Sequence, residues 1–257
     1  MILIDSHTHI YLEEFADDVE LTVNRAIQND VKKLILPNID STSIKPMFDL
    51  CNQFPGICFS CMGLHPGSVN QNYHSEMEII SEWLAKEKFV AIGEIGIDLY
   101  WDKTFINEQI EVFKLQLELA KKYNLPVIIH SRNALNEIIQ VLNEKNYSDV
   151  KAVFHCYPGS LEQAKQLIKN NHLLGIGGVV TYKNSGLAKV VKEIPLENII
   201  LETDSPYLPP VPYRGQRNES AYIKTIAEFI ATLRNCSVDE VAAITTKNAC
   251  SFFNIEI

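Results

Sequence analysis

Positive charge is scarce in this 257-residue sequence: 23 Lys and Arg stand against 32 Asp and Glu, a net charge of −9 with His neutral. That balance excludes a protein that coats duplex nucleic acid through a basic surface, because such binding needs clustered Lys and Arg to neutralise phosphates. Long apolar runs are missing as well. The longest worth noting is Leu173–Val180, far below the ~20 residues of a membrane-spanning helix. No basic residue precedes Arg25, so the N-terminus lacks the positive segment that opens a secretory signal. A cytoplasmic protein with no membrane partner is expected. Also absent are a G-x-G-x-x-G turn, a P-loop and a G-x-S-x-G elbow, which removes the usual dinucleotide, nucleoside-triphosphate and serine-hydrolase readings. Disorder is excluded by composition, since 46 % of residues are hydrophobic and 21 % charged, as in ordinary globular chains.

Of six cysteines only Cys58 and Cys61 have a metal-like spacing. They lie in a segment that reads as a strand, where residues three apart face opposite sides. They are expected to be buried thiols rather than a chelating pair.

What the chain does have is regular alternation. Short apolar or β-branched runs occur at Ile2–Ile4, Lys33–Leu36, Ile57–Met62, Phe89–Gly93, Pro126–Ile129, Lys151–His155, Leu173–Gly177 and Asn198–Leu201. Helical periodicity lies between them, clearest in Ile106, Ile110, Phe113, Leu117 and Ala120. Such gaps suit helical crossovers between parallel strands. Eight units in a chain of this length predict a single (β/α)8 TIM-type barrel with C-terminal helices, one domain over residues 1–257. An open doubly wound sheet is the competing architecture. The proline-rich segment Pro206–Gly215 is expected to form a stiff loop walling the rim.

On that scaffold His7 and His9 follow strand one, Glu94 follows strand four, His130 follows strand five, His155 ends strand six and Asp204 follows strand eight. A barrel gathers all these strand ends on one rim. His7 and His9, two apart, face the same way on extended backbone and suit one cation. Glu94 can bridge two cations with its two oxygens. Two such ions stabilise attacking and leaving oxygens together and lower the pKa of bound water. The mixed nitrogen and oxygen donors favour Zn, Mn or Fe over a purely Mg site. His74 and His172 read as solvent or turn residues.

These residues sit in segments that resemble the TatD family of metal-dependent deoxyribonucleases, within the amidohydrolase-like barrels. The matching pieces are Asp5-Ser6-His7-Thr8-His9, Gly63-Leu64-His65-Pro66, Gly93-Glu94-Ile95-Gly96-Ile97-Asp98, Pro126–Arg132, His155–Ser160, Leu201–Pro206 and Arg214–Glu219. The resemblance implies two divalent cations (Zn, Mn or Mg), one held by His7, His9, Glu94 and Asp204 and the other by Glu94, His130 and His155. It implies a phosphodiester hydrolase acting on DNA ends, single-stranded or frayed, with Glu94 and Asp204 catalytic and Asp204 doubling as the base. Tyr157-Pro158-Gly159 and Asn218-Glu219-Ser220 depart from the family's pattern and lie in loops that could shape the substrate.

Weaker candidates surround this set. His65 is a candidate phosphate contact, Arg132 and Arg214 are candidate phosphate clamps, and Tyr100 with Trp101 is a candidate base stack. Glu202 is expected to orient a metal-bound His. The competing functions are hydrolysis of another ester or amide, such as the aminoacyl ester of a mischarged D-aminoacyl-tRNA, and a non-catalytic binding module. DNA or another phosphodiester is the expected partner, and the chain is expected to be monomeric.

Overall fold

A computed structural model describes residues 1–257. Its strands are β1 (Leu3–Asp5), β2 (Val31–Leu36), β3 (Cys58–Ser60), β4 (Ile92–Asp98), β5 (Val127–Arg132), β6 (Ala152–Phe154), β7 (Leu173–Ile176) and β8 (Ile199–Leu201). The helices are α1 (Val19–Gln28), α2 (Ser41–Gln53), α3 (Tyr73–Lys86), α4 (Ile106–Tyr123), α5 (Leu135–Leu142), α6 (Leu161–Lys169), α7 (Leu187–Glu193), α8 (Ile223–Arg234) and α9 (Val238–Phe253). Neighbouring strands pair in chain order, β1-β2-β3 and β4-β5-β6-β7-β8, and every ladder is parallel. Backbone bonds cross both seams. Met62 N–H donates to Ala91 O and Gly93 N–H to Met62 O at the first; Ser6 N–H donates to Leu201 O and Asp204 N–H to His7 O at the second. The expected barrel is therefore closed.

Inward residues of seven strand segments, Ile4, Ile35, Cys61, Ala91, Ile128, Val153 and Ile200, form one buried cluster with Ala249, Phe252 and Phe253 of α9. The last helix thus plugs the lumen from the end opposite the rim that carries the histidines. Its Thr246 hydroxyl donates to Ile2 O, and Asn248 Nδ2 donates to Leu196 O and Ile199 O. Cys58 belongs instead to the outer core between strands and helices. The two thiols face opposite sides, as strand geometry requires, and all six cysteines are free. No helix is long and apolar enough to cross a membrane.

The fourth strand differs from its sequence reading. It begins at Ile92 rather than Phe89 and continues to Asp98, so Glu94 lies inside it and not after it. His130 likewise lies within β5. Apolar patterning stops early here because Gly93, Glu94, Gly96 and Asp98 interrupt it. Ile92 pairs with Val127 and Ile95 with Ile129, three steps against two, so β4 carries one extra residue. A bulge of this kind re-aims a side chain, and it sits at Gly93 and Glu94. Gly96 has φ +142°, and a Cβ there would overlap the carbonyl of His130. Only glycine lets β4 lie this close to the residue that presents the His130 ring.

Candidate metal centre

His7 and His9 leave the end of β1, Glu94 and Asp98 point inward from β4, His130 from β5, and His155 and Asp204 follow β6 and β8. All lie at the C-terminal rim. Asp5, fully buried, joins two of these ends: its Oδ1 accepts from Thr203 N–H at 2.9 Å and its Oδ2 from the Thr203 hydroxyl at 2.6 Å. The N–H of His7 also points at it, at 3.3 Å. Burial, outweighing the hydrogen bonds from Ser220, Thr203 and His7, raises the Asp5 carboxyl to about 7.

Glu94 divides the site. Its Oε2 lies 3.2 Å from His7 Nε2 and 3.5 Å from His9 Nε2. Its Oε1 lies 2.8 Å from His130 Nδ1, 3.7 Å from His65 Nε2 and 3.9 Å from His155 Nε2. On the first side His7 Nε2 and His9 Nε2 are 3.0 Å apart, and each is 3.8 Å from Asp204 Oδ1. A tetrahedral cation with bonds of ~2.1 Å holds its donors ~3.4 Å apart. The spacings among His7, His9, Glu94 and Asp204 straddle that value, so these four fit one cation. His155 stands between the two groups, its ring stacked on His7 with centroids 3.5 Å apart and its Nε2 3.6 Å from Asp204 Oδ1.

Hydrogen bonds fix which ring nitrogen faces inward. Tyr11 donates its hydroxyl proton to Pro37 O and so accepts from His9 Nδ1 at 2.9 Å. That leaves the His9 Nε2 lone pair toward the centre. His130 Nε2 donates to Asp98 Oδ2 at 3.0 Å, turning Nδ1 toward Glu94. His155 Nδ1 approaches Glu202 Oε1 to 3.1 Å, though without hydrogen-bond alignment, and its Nε2 faces inward. Glu202 also accepts from Cys156 N–H at 2.5 Å. Partners of this kind hold the tautomer and orientation of metal-binding imidazoles.

The charges are strongly coupled. Burial alone would raise Glu94, but the surrounding imidazoles, His7 and His155 foremost, hold its carboxyl well below the usual range. Burial would lower His130, yet Asp98 and Glu94 lift it to about 9. Four carboxylates, Glu94, Asp98, Glu202 and Asp204, crowd this rim, and charges buried this deeply need compensation. Together with the inward lone pair of His9 and the orphaned, buried His7 Nδ1, this donor set suits divalent cations, which would displace the second His130 proton.

His65 differs from the other imidazoles. Its Nδ1 accepts from Gly67 N–H at 2.9 Å, so the proton is on Nε2, the atom that faces Glu94. Burial holds its pKa down at about 3, so the ring stays neutral. His65 offers a hydrogen-bond donor to the cleft, whereas a metal ligand would offer a lone pair.

Arg132 and Tyr100 are exposed and stack on one another, the guanidinium 3.8 Å from the ring centroid. Arg214 lies 4.1 Å over Tyr182 on the β7–β8 side. The proline-rich loop is pinned as a wall: Tyr182 donates to Pro209 O and Val211 N–H to the Thr181 hydroxyl. Asn218, Glu219 and Ser220 are buried braces. Asn218 Nδ2 donates to Thr203 O and Tyr207 O, and Glu219 accepts from Arg25.

His74 is exposed at the start of α3. His172 corrects its sequence reading. It follows the turn at Asn170 and Asn171, directly before β7, and its side chain is buried against Phe154, because that turn folds its ring under β6 and β7.

Sequence reasoning assigned no role to Asp5, Asp98 or Tyr11, or to the α4 glutamines. Asp98 was legible as the third inward position after Glu94 and Gly96 on one strand face. Gln109 and Gln116 sit on the buried face of α4, where a polar residue is a signal in itself. Gln109 accepts from Asp98 N–H, and Gln116 pairs with both backbone groups of Leu64, next to His65.

A family model described as TatD related DNase matches residues 4–254. The Bacillus subtilis protein named "Uncharacterized metal-dependent hydrolase YabD" is 39 % identical, over 99 % of this chain and 100 % of its own length. The Escherichia coli K12 protein named "Uncharacterized metal-dependent hydrolase YcfH" is 34 % identical, over 100 % of this chain and 97 % of its own. The crystal structure of YJJV, a TatD homologue from Escherichia coli K12, superposes with a TM-score of 0.93 at 31 % identity and covers 99 % of this chain and 98 % of that one. With the match running through every strand end that carries a site residue, this chain belongs to the TatD-related DNase family.

Proposed function

We propose that the protein is a metal-dependent hydrolase that uses two divalent cations to cleave phosphodiester bonds at single-stranded or frayed DNA ends. The observation that carries this reading is the split of Glu94, with Oε2 toward His7 and His9 and Oε1 toward His130. One cation would be held by His7, His9, Glu94 and Asp204, the other by Glu94, His130 and His155. Bound there, the pair would supply Lewis acidity and a water acidic enough to ionise near neutral pH.

The chain's own groups do the rest. Asp204 is the most open of the site carboxylates that face the histidines, its side chain 13 % exposed against 3 % for Glu94. It takes the proton of the attacking water at its carboxylate and delivers it to the departing ester oxygen as that P–O bond breaks. His65 Nε2–H donates to a non-bridging phosphate oxygen and keeps that proton throughout. Arg214, exposed on the proline-rich loop, would leave Tyr182 to clamp a neighbouring phosphate. The net charge of −9 agrees with engagement of a strand end through the site itself, because bound cations supply the local positive charge.

A substrate panel of single-stranded DNA, a small phosphodiester and a D-aminoacyl ester, assayed with Mg, Mn and Zn, tests the reading. Glu94→Ala and Asp204→Asn should abolish DNA hydrolysis with the fold intact. Undiminished DNA hydrolysis by Glu94→Ala contradicts it, and turnover of the aminoacyl ester alone moves the reaction to carbonyl chemistry.

A further inference from the structure

Trp101 is the most exposed large hydrophobic side chain, at 76 %, and its neighbour Tyr100 is 52 % exposed. Leaving two adjacent aromatic rings in water is costly, by ~25 cal/mol for each Å² of apolar surface. The Arg132 guanidinium lies 3.8 Å from the Tyr100 centroid and 5.1 Å from the Trp101 centroid, and the two rings meet edge to face. The side chain of Arg132 makes no hydrogen bond or ion pair, although the chain is rich in carboxylates.

The cluster is built directly onto the metal centre. Asp98 and Arg132 are paired in register at the ends of β4 and β5. Tyr100 N–H donates to Asp98 Oδ1 at 2.8 Å, while Oδ2 of the same carboxylate holds His130. Leu99 N–H donates to Arg132 O. Extended chain spans ~7 Å over two residues and ~10 Å over three, so Tyr100 and Trp101 branch from the backbone no farther than those distances from Asp98.

On the opposite side of the rim Arg214 also covers an aromatic ring, but there Tyr182 is half-buried and its hydroxyl is tied to Pro209 O. That stack braces a loop. No side-chain hydrogen bond of Tyr100, Trp101 or Arg132 ties their stack to a loop in that way.

We propose that Tyr100, Trp101 and Arg132 form a stacking subsite for one unpaired nucleobase adjacent to the cleaved phosphate. The proposal rests on the nuclease reading above and deepens it. Every base has a π-face that can stack on an aromatic ring, so the subsite accepts any sequence. Within a duplex both faces of every internal base are covered and a terminal pair offers only its outer face, so an unpaired or frayed base docks best. The preference for single strands is thereby assigned to three side chains. Arg132, expected from sequence to be a phosphate clamp, becomes chiefly a stacking partner whose edge N–H groups remain free for the base or sugar.

The test compares hydrolysis of a single-stranded oligodeoxynucleotide with that of the same oligomer carrying abasic residues near its end, in the wild type, Trp101→Ala and Trp101→Phe. The wild type should favour the base-bearing oligomer. Trp101→Ala should raise its KM on the order of 10-fold, with a smaller change in kcat, and should lose most of the discrimination against the abasic oligomer. Trp101→Phe should retain it.

Tryptophan fluorescence gives a readout independent of turnover. The only other tryptophan, Trp83, packs half-buried against Phe48, so quenching by the base-bearing oligomer reports Trp101. Equal treatment of the two oligomers by the wild type, or unchanged discrimination in Trp101→Ala, overturns the subsite alone. Failure of the wild type to hydrolyse either oligomer overturns the nuclease reading, and the subsite with it.

Discussion

Acid should destabilise this fold in part through one histidine far from the catalytic rim. His172 precedes β7, its side chain 3 % exposed, its ring 5.8 Å from that of Phe154 and its Nδ1 without a partner. Burial pushes its pKa from 6.5 down to about 4. Above pH 6.5 neither the folded nor the unfolded chain carries this proton, and the residue adds no pH dependence. Between 6.5 and about 4 only the unfolded chain binds it, so stability falls as pH falls, and the loss saturates below the folded value. Each pH step of one across that interval costs ~1.36 kcal/mol, so the loss from pH 7.5 to 4.5 is about 2.5 kcal/mol. His172→Leu keeps an apolar side chain beneath Phe154 and removes the proton site. Urea denaturation of both proteins at the two pH values isolates the effect, because the remaining titrations are shared and cancel. The wild type should lose about 2.5 kcal/mol more than the variant. Equal losses in the two proteins would refute the assignment of a buried, neutral His172.

Three further outcomes follow from the site's supports. Asp98→Asn places an amide against His130 Nε2, which favours the wrong tautomer; calorimetric titration should show divalent-cation affinity reduced ~10- to 100-fold, and unchanged affinity would remove Asp98 from the site. A Cβ at Gly175 would lie 2.8 Å from Glu202 Cδ, so Gly175→Ala should cost ~1–3 kcal/mol in chemical denaturation and lower hydrolytic activity as Glu202 is driven from His155. Arg217, then Arg25, holds the Asp18 carboxyl down at about 2; this contribution to stability is present above the ordinary carboxylate pKa and is lost as pH falls toward 2. In Arg217→Ala an NMR titration should find Asp18 moved back up, and an unmoved midpoint would assign the effect to Arg25.

The barrel was legible because parallel strands buried on both faces leave short apolar runs, and because helical crossovers space them evenly. Eight such runs located all eight strands, with edges off by a few residues in most. β4 was the hardest to place, since the bulge and Gly96 that aim Glu94 and seat His130 are written in glycines and acids, which read as loop. The inward residues His7, His9, Glu94, His130, His155 and Asp204 were legible as polar residues at strand ends. Their supports were less so. Asp5 and Asp98 continue strands in which the visible signal is apolar, and Gln109 and Gln116 are buried by helix packing that no local pattern reveals. The turn at Asn170-Asn171-His172 looked solvated because its neighbours are polar. Tertiary packing under Phe154 decides otherwise.

The central claim is that divalent cations held by Glu94 and its histidines drive the hydrolysis. It is tested most directly by metal analysis of the protein alongside single-stranded DNA cleavage, before and after chelation, for the wild type and Glu94→Gln. The account predicts two bound divalent ions per chain in the wild type, cleavage lost on chelation and restored by added metal, and a Glu94→Gln protein that is folded, metal-poor and inactive. Cleavage that survives chelation, or a Glu94→Gln protein as active as the wild type, would contradict it.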